Sequence, residues 1–220
     1  MRRPSVPPTV LALLALLAAV LLGAPAASAA PAPASTTVGS GSLLYSSDGH
    51  RCRVSLNARG GSEYYGLVLG HCMGATASTW YADAAWTVPV GTTEARSFPG
   101  DDYGIIRYTN TSLSYPGGTG FTGVSSPSVG RNICHQGSAT GPRCGRVTAV
   151  GITIDYGGGP VDGLFVSNVC SDYFDRGTLG FSNTRILGII VSGSGSCDFG
   201  GVTYYQPVLP VLAAYGLNLY

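Results

Sequence analysis

The sequence predicts an all-β domain of many short antiparallel strands, stapled by disulfides and exported from the cell. Short runs rich in β-branched and aromatic residues alternate with Gly, Asn, Asp and Ser turns, the pattern of a sandwich or barrel. Only 10% of residues are charged, against 33 glycines and 13 tyrosines, which suits a β-rich extracellular chain better than a helical cytosolic one. Six cysteines follow an N-terminal export signal, and that combination reads as disulfides.

The export signal comes first in the chain. Arg2 and Arg3 precede an apolar run from Val10 to Leu22, and small residues lead to an Ala27-Ser28-Ala29 cleavage signal. That order is a secretory signal peptide over 1–29. A membrane anchor needs roughly 20 apolar residues and a polar stop-transfer flank, and this run has neither. Arg2-Arg3 is a weak hint of twin-arginine export, because Pro4 follows and the surrounding motif is missing. Residues 30–37 read as a short polar linker, and 38–220 as the domain. Removing the signal leaves about 190 residues, enough for one large domain or two lobes with a hydrophobic core.

Candidate strands are Arg51–Ala58, Tyr64–Leu69, Trp86–Val90, Tyr103–Tyr108, Asn132–Gln136, Gly145–Val150, Ile152–Tyr156, Leu164–Ser167, Thr184–Val191 and Val202–Gln206. Turns fall at Arg59-Gly60-Gly61, Pro99-Gly100, Tyr115-Pro116-Gly117-Gly118 and Gly157-Gly158-Gly159. One helix is expected around Val208–Tyr215, with Pro210 in its first turn. The 12 basic residues are all arginine, and those in the mature part lie scattered, so no nucleic acid and no membrane is expected as a partner. There is no Cys-x-x-Cys, and the 3 histidines follow no ligand spacing, so no metal and no cofactor is expected.

Longer motifs carry more. Leu69-Gly70-His71-Cys72, Pro99-Gly100-Asp101-Asp102-Tyr103-Gly104-Ile105 and the segment after Cys170 resemble the bacterial chymotrypsin-like (S1) serine proteases, most nearly the streptogrisin and α-lytic protease group. Gly74-Ala75-Thr76 with Trp80, Tyr156-Gly157-Gly158-Gly159, Gln206-Pro207-Val208 and Ala214-Tyr215-Gly216 extend the resemblance over nearly all of 38–220. It implies two six-stranded antiparallel β-barrels, a C-terminal helix, and a site in the cleft between the barrels. It also implies the disulfides Cys52–Cys72, Cys134–Cys144 and Cys170–Cys197, and a monomer.

In that family a serine attacks the scissile carbonyl, a histidine takes its proton and a buried aspartate orients the imidazole. The resemblance puts the histidine at His71 and the aspartate at Asp102, directly before Tyr103-Gly104-Ile105, with Asp101 as the lesser choice. The family's Gly-Asp-Ser-Gly-Gly-Pro matches Phe174-Asp175-Arg176-Gly177-Thr178-Leu179. Cys170 lies six residues before position 176 and Thr184 eight residues after it, so both flanks bring Arg176 to the nucleophile position. A guanidinium is a donor-only cation and is no nucleophile. Phe174, Asp175 and Gly177 become the oxyanion-loop equivalents, with Phe174 replacing a glycine. Val191 stands where the family has a serine that bonds the aspartate, so Asp102 is expected to lack that partner. Arg176 is expected near His71, with Asp102 or Asp175 as its carboxylate partner.

Two further expectations follow. The family carries a long pro-region, whereas only about eight residues separate the cleavage site from Val38, so the domain is expected to fold without one. With the nucleophile position changed, the expected product is a secreted protease homologue without peptidase activity that holds a peptide or protein ligand in the inter-barrel cleft. Val191, Ser192 and Gly193 form its substrate-strand equivalent. The alternatives are a serine-type endopeptidase or hydrolase with a non-standard site, acting through His71, Asp102 and water, and a secreted scaffold with no cleft ligand.

Overall fold

A computed structural model describes residues 37–118 and 120–220. The expected signal peptide and nearly all of the linker lie outside the described residues. The first barrel consists of β1 (Leu43–Ser46), β2 (Arg51–Arg53), β3 (Leu56–Gly60), β4 (Glu63–Val68), β5 (Thr79–Tyr81), β6 (Pro89–Ser97) and β7 (Tyr103–Tyr108), bonded in the order β2-β1-β5-β6-β7-β4-β3. Its two ends are arms of one bent strand. Between them Val54 N–H donates to Ser42 O (2.8 Å), on the β1 side, and Ser55 N–H to Leu67 O (2.7 Å), on the β4 side. The predicted strand Arg51–Ala58 is therefore broken at Val54-Ser55, and the break is what lets six strands close on themselves.

The second barrel uses β8 (Gly123–Val124), β9 (Asn132–Gly137), β10 (Gly141–Asp155), β11 (Pro160–Ser167), β12 (Leu179–Ser182), β13 (Arg185–Ser196) and β14 (Gly200–Pro207). Their order is β12-β9-β10-β11-β14-β13-β8, and an additional β12–β13 pairing closes six of them. The two-residue β8 runs parallel along β13 outside that ring. The two predicted strands at 145–156 are one strand, β10, whose register shifts between Val150 and Ile152. Gly151 sits there at φ +68°, so a glycine supplies the bulge without ending the strand. The predicted helix is α1 (Val208–Ala214), with Pro210 in its first turn, where an N–H has no helical partner.

Each barrel has its own core, and a third cluster joins them. Leu44, Val54, Val68, Trp80 and Ile106 fill the first, and Ile133, Phe165, Leu187, Ile190 and Tyr205 the second. Leu56, Leu67 and Ile105 from the first barrel pack with Val161, Leu164, Ile189 and Val208 from the second. The disulfides Cys52–Cys72, Cys134–Cys144 and Cys170–Cys197 tie neighbouring segments, and no described cysteine is free.

One buried polar side chain ties the chain's early segment to the first barrel. Asn57 is 1% exposed. Its Nδ2 donates to Val38 O (2.8 Å) and Pro116 O (2.9 Å), while its Oδ1 accepts from the Tyr108 hydroxyl (2.8 Å). Replacing it by alanine leaves two carbonyls and a hydroxyl without partners. Asn57→Ala is expected to lose about 3 kcal/mol, at roughly 1–3 kcal/mol for each group left unsatisfied. Chemical denaturation should show this as a lower midpoint with an unchanged slope.

Candidate functional site

Two chain turns bring His71 and Asp102 together. His71 lies in a single 3₁₀ turn, Gly70–Cys72, directly after β4. Gly70 permits this, because a Cβ there would meet Ser97 O at 2.4 Å and Tyr103 O at 2.7 Å. The Cys72–Cys52 disulfide pins the same turn to β2. Asp102 closes the Pro99–Asp102 turn before β7, and its backbone N–H donates to Gln206 Oε1 on β14 (2.9 Å). Gln206 itself is buried.

The Asp102 carboxylate is fully buried and accepts from three donors. His71 N–H donates to Oδ1 (2.9 Å), His71 Nδ1 lies 2.7 Å from Oδ2, and the Tyr156 hydroxyl also donates to Oδ2. An ionised carboxylate has only acceptors, so the proton of that imidazole contact belongs to Nδ1. Nε2 is then the proton-accepting nitrogen, on a side chain that is 23% exposed. Burial, with the Asp102 charge and hydrogen bond behind it, pushes the Tyr156 phenol far above its usual range, so it remains a donor. Phe98 and Tyr156 approach the imidazole with centroids at 6.0 and 5.9 Å. Three consecutive glycines shape the turn carrying Tyr156, with Gly157, Gly158 and Gly159 at φ +106°, +95° and +116°.

Tyr156 supplies a partner that the sequence did not reveal. Val191 is fully buried and apolar, as its side chain requires, yet Asp102 is not short of a partner, because Tyr156 reaches it from the second barrel. The Tyr-Gly-Gly-Gly motif was visible in the sequence, but which atom its tyrosine would meet was not. Gln206 was likewise visible only as part of Gln-Pro-Val.

The segment before β12 folds on itself. Tyr173–Asp175 is a 3₁₀ turn with a capping box between Asp172 and Asp175. Phe174 N–H donates to Asp172 Oδ1 (3.2 Å), Arg176 N–H to Tyr173 O (3.4 Å) and Gly177 N–H to Ile190 O (2.9 Å). Asp175 is buried, with its carboxylate taken by Asp172 N–H (2.9 Å), Ala139 N–H (2.8 Å) and the Thr140 hydroxyl (2.8 Å). This corrects one expectation. Arg176 pairs with neither Asp102 nor Asp175, since both carboxylates are filled by other donors. Its guanidinium rests instead over the Tyr173 ring, 4.6 Å from the centroid.

Arg176 and His71 do share a concavity. A cavity of about 310 Å³ is lined by Arg51, Arg53, His71, Phe174, Arg176 and Gly177 among others. A second, of about 450 Å³, has Ser171, Arg176 and Gly193 in its wall. Ser192 is nearly buried beside it, and both Ser192 and Gly193 pair with β14. Among the described residues, no group of three or more His, Cys, Asp or Glu side chains is arranged to hold a metal ion.

No family model matches the chain. Individual relatives do. Serine protease 2 of Streptomyces fradiae is 39% identical over 175 residues, covering 76% of this chain and all of that protein. Streptogrisin-D of Streptomyces griseus is 36% identical over 78% of this chain, which spans only 45% of that relative. Among solved structures, alpha-lytic protease homolog N4 superposes with a TM-score of 0.73 at 44% identity, over 84% of this chain and 100% of that one. A glutamic acid specific serine protease gives 0.71 at 35% identity, over 83% and 100%. The chain belongs to the chymotrypsin-like S1 family of bacterial serine proteases. Within it, the chain falls among the streptogrisin and α-lytic protease group.

In this family member the Asp175 contacts carry a pH signature. Burial alone would raise its pKa, but the hydrogen bonds from Asp172, Ala139 and Thr140 outweigh that and hold the carboxyl below its usual range. A folded-state pKa below the unfolded one adds stability that is fully present above about pH 4 and is lost as pH falls through the folded value. Asp175→Asn is expected to lower stability by about 2 kcal/mol at neutral pH, as hydrogen bonds to a charged acceptor are lost. It should also flatten the acid limb of a melting-temperature profile, and an unaltered acid limb would show that Asp175 does not contribute to it.

Proposed function

We propose that this family member is a secreted protease homologue without peptidase activity, which binds a peptide or protein in the cleft between its barrels. The observation that carries the reading is Arg176. Counted from Cys170 and from Thr184, it occupies the place of the family's nucleophilic serine, and a guanidinium cannot attack a carbonyl. The backbone supports the same conclusion. A tetrahedral intermediate needs free N–H donors aimed at its oxyanion, from the equivalents of residues 174 and 176. Here Phe174 N–H is engaged by Asp172 and Arg176 N–H by Tyr173. Both donors are already spent inside the loop.

Binding needs neither group. Beyond Ile190 no described strand pairs with the second edge of β13, so Val191–Ser196 offers free backbone groups there. A peptide can add to such an edge as a further strand. Three disulfides suit an oxidising, extracellular compartment. A second reading rests on the His71–Asp102 pair, whose 2.7 Å contact still leaves an imidazole able to accept a proton. On that reading a water molecule replaces the serine as nucleophile.

Both readings meet the same experiment. Peptide anilides, activated esters and a fluorophosphonate probe are given to the purified mature protein, to Arg176→Ser, and to Phe174→Gly/Arg176→Ser/Thr178→Gly. The native protein should show neither turnover nor labelling. Arg176→Ser alone should remain at least about 10²-fold below the triple variant, because its oxyanion donors stay engaged. Turnover without labelling by the native protein would favour the water reading. Labelling of the native protein would mean another side chain attacks, and the proposal would fall.

A further inference from the structure

We propose that the cavity between β2 and the Tyr173–Gly177 loop is a subsite for a carboxylate carried by the bound peptide. This rests on the reading of the cleft as a site that binds without cleaving, and it gives that site a ligand chemistry.

Three arginines, Arg51, Arg53 and Arg176, line the cavity, and no aspartate or glutamate is among its lining residues. Their convergence is built into the strand. Arg51 and Arg53 alternate with buried Cys52 on β2, so both project to the outer face of the barrel. They lie opposite Tyr45 and Leu43 of β1. The Cys52–Cys72 disulfide holds that stretch beside His71. Arg176 faces the same space from the second barrel.

Their charges lack protein counter-ions. Arg53 spends one donor on Gly41 O (2.9 Å), while Arg51 and Arg176 have no hydrogen-bonding or ionic side-chain partner among the described residues. Cations gathered in a concave, partly apolar wall focus a positive potential on its interior. The guanidinium fork fits a carboxylate with paired hydrogen bonds. The remaining wall explains why a peptide suits the cavity better than a bare polyanion. Leu43, Leu69 and Phe174 share the lining, and the Phe174 side chain is 68% exposed. A ligand with apolar as well as acidic groups covers both kinds of surface. The carboxylate can come from an acidic side chain or from a C-terminus.

The test compares labelled peptides by fluorescence anisotropy at low and high salt. One carries two internal glutamates and blocked ends, one has a neutral body with a free C-terminal carboxylate, and one is neutral and fully blocked. A sulfated oligosaccharide competes in a separate arm. At least one acidic peptide should bind more tightly than the blocked neutral peptide, and which one identifies the source of the carboxylate. Arg51→Ala and Arg53→Ala should each weaken that binding about fivefold, with a shallower salt dependence, while Arg59→Ala outside the cavity leaves it unchanged. Equal binding of acidic and neutral peptides, binding indifferent to Arg51 and Arg53, or tighter binding of the oligosaccharide overturns the subsite. The same peptides are analysed for cleavage. Cleavage with arginine-dependent binding would overturn the inactive reading and leave the subsite standing.

Discussion

The Asp102 carboxylate is the point on which the arrangement of the two barrels depends. It is buried and, among the described residues, forms no ion pair with an arginine, so its charge is tolerated because hydrogen-bond donors surround it. Those donors come from both halves of the molecule. His71 belongs to the first barrel, Tyr156 to the second, and the Asp102 N–H is itself bound by Gln206 on β14. An apolar seam of Leu56, Leu67 and Ile105 against Val161, Leu164 and Ile189 also joins the barrels. That seam is non-directional. The Asp102 network gives it a register, because each donor must arrive at a particular oxygen.

The Tyr173–Gly177 loop obeys the same rule in a different way. Most of its backbone groups and the Asp175 carboxylate find partners within the loop, on β13 or on the adjoining Ser138–Thr140 turn, where the Ser138 hydroxyl donates to Phe174 O. Asp175 organises this local network, much as Asp102 organises the interface. The two networks do not share a hydrogen bond. On the proposed reading, that separation explains how an intact imidazole–carboxylate pair coexists with a loop unsuited to acyl transfer. On that reading, a serine at 176 would restore a nucleophile, but the N–H groups of residues 174 and 176 would still be engaged by Asp172 and Tyr173. Catalysis requires both networks to face the same carbonyl.

Much of this was legible in the chain, for physical reasons that differ by element. Tyr103–Tyr108 was predicted to its ends because it combines β-branched and aromatic residues with a turn before it. The double barrel followed from motifs, since alternation alone fits a sandwich as well. The short strands Leu43–Ser46, Thr79–Tyr81 and Leu179–Ser182 escaped notice because three or four residues are too few to show a period of two. Trp86 was placed in a strand on its aromatic character, yet it lies before β6 at φ +58°, where the turn, not propensity, sets the backbone. At the site, residue types were legible and partners were not. Arg176 could be seen to be a cation, but its choice of Tyr173 over two nearby aspartates depended on those aspartates being already satisfied.

That choice bears on what the cleft is suited to do. A guanidinium paired with Asp102 or Asp175 would be neutralised and fixed, and the cavity would lose one of its three positive groups. Stacked on an exposed tyrosine, Arg176 keeps its charge and its hydrogen-bond donors, since an aromatic face takes up neither. The residue that removes the nucleophile on the proposed reading therefore also leaves a cation available to the cleft. Arg51 and Arg53 face it from a strand that the Cys52–Cys72 bridge holds in place, so these cations do not need a large rearrangement to meet a ligand. Preorganised charge of this kind costs the folded protein some self-repulsion, which a bound carboxylate relieves. On the proposed reading, loss of peptidase chemistry and an anion-binding surface are two consequences of one side chain and of the partners its neighbours have already taken.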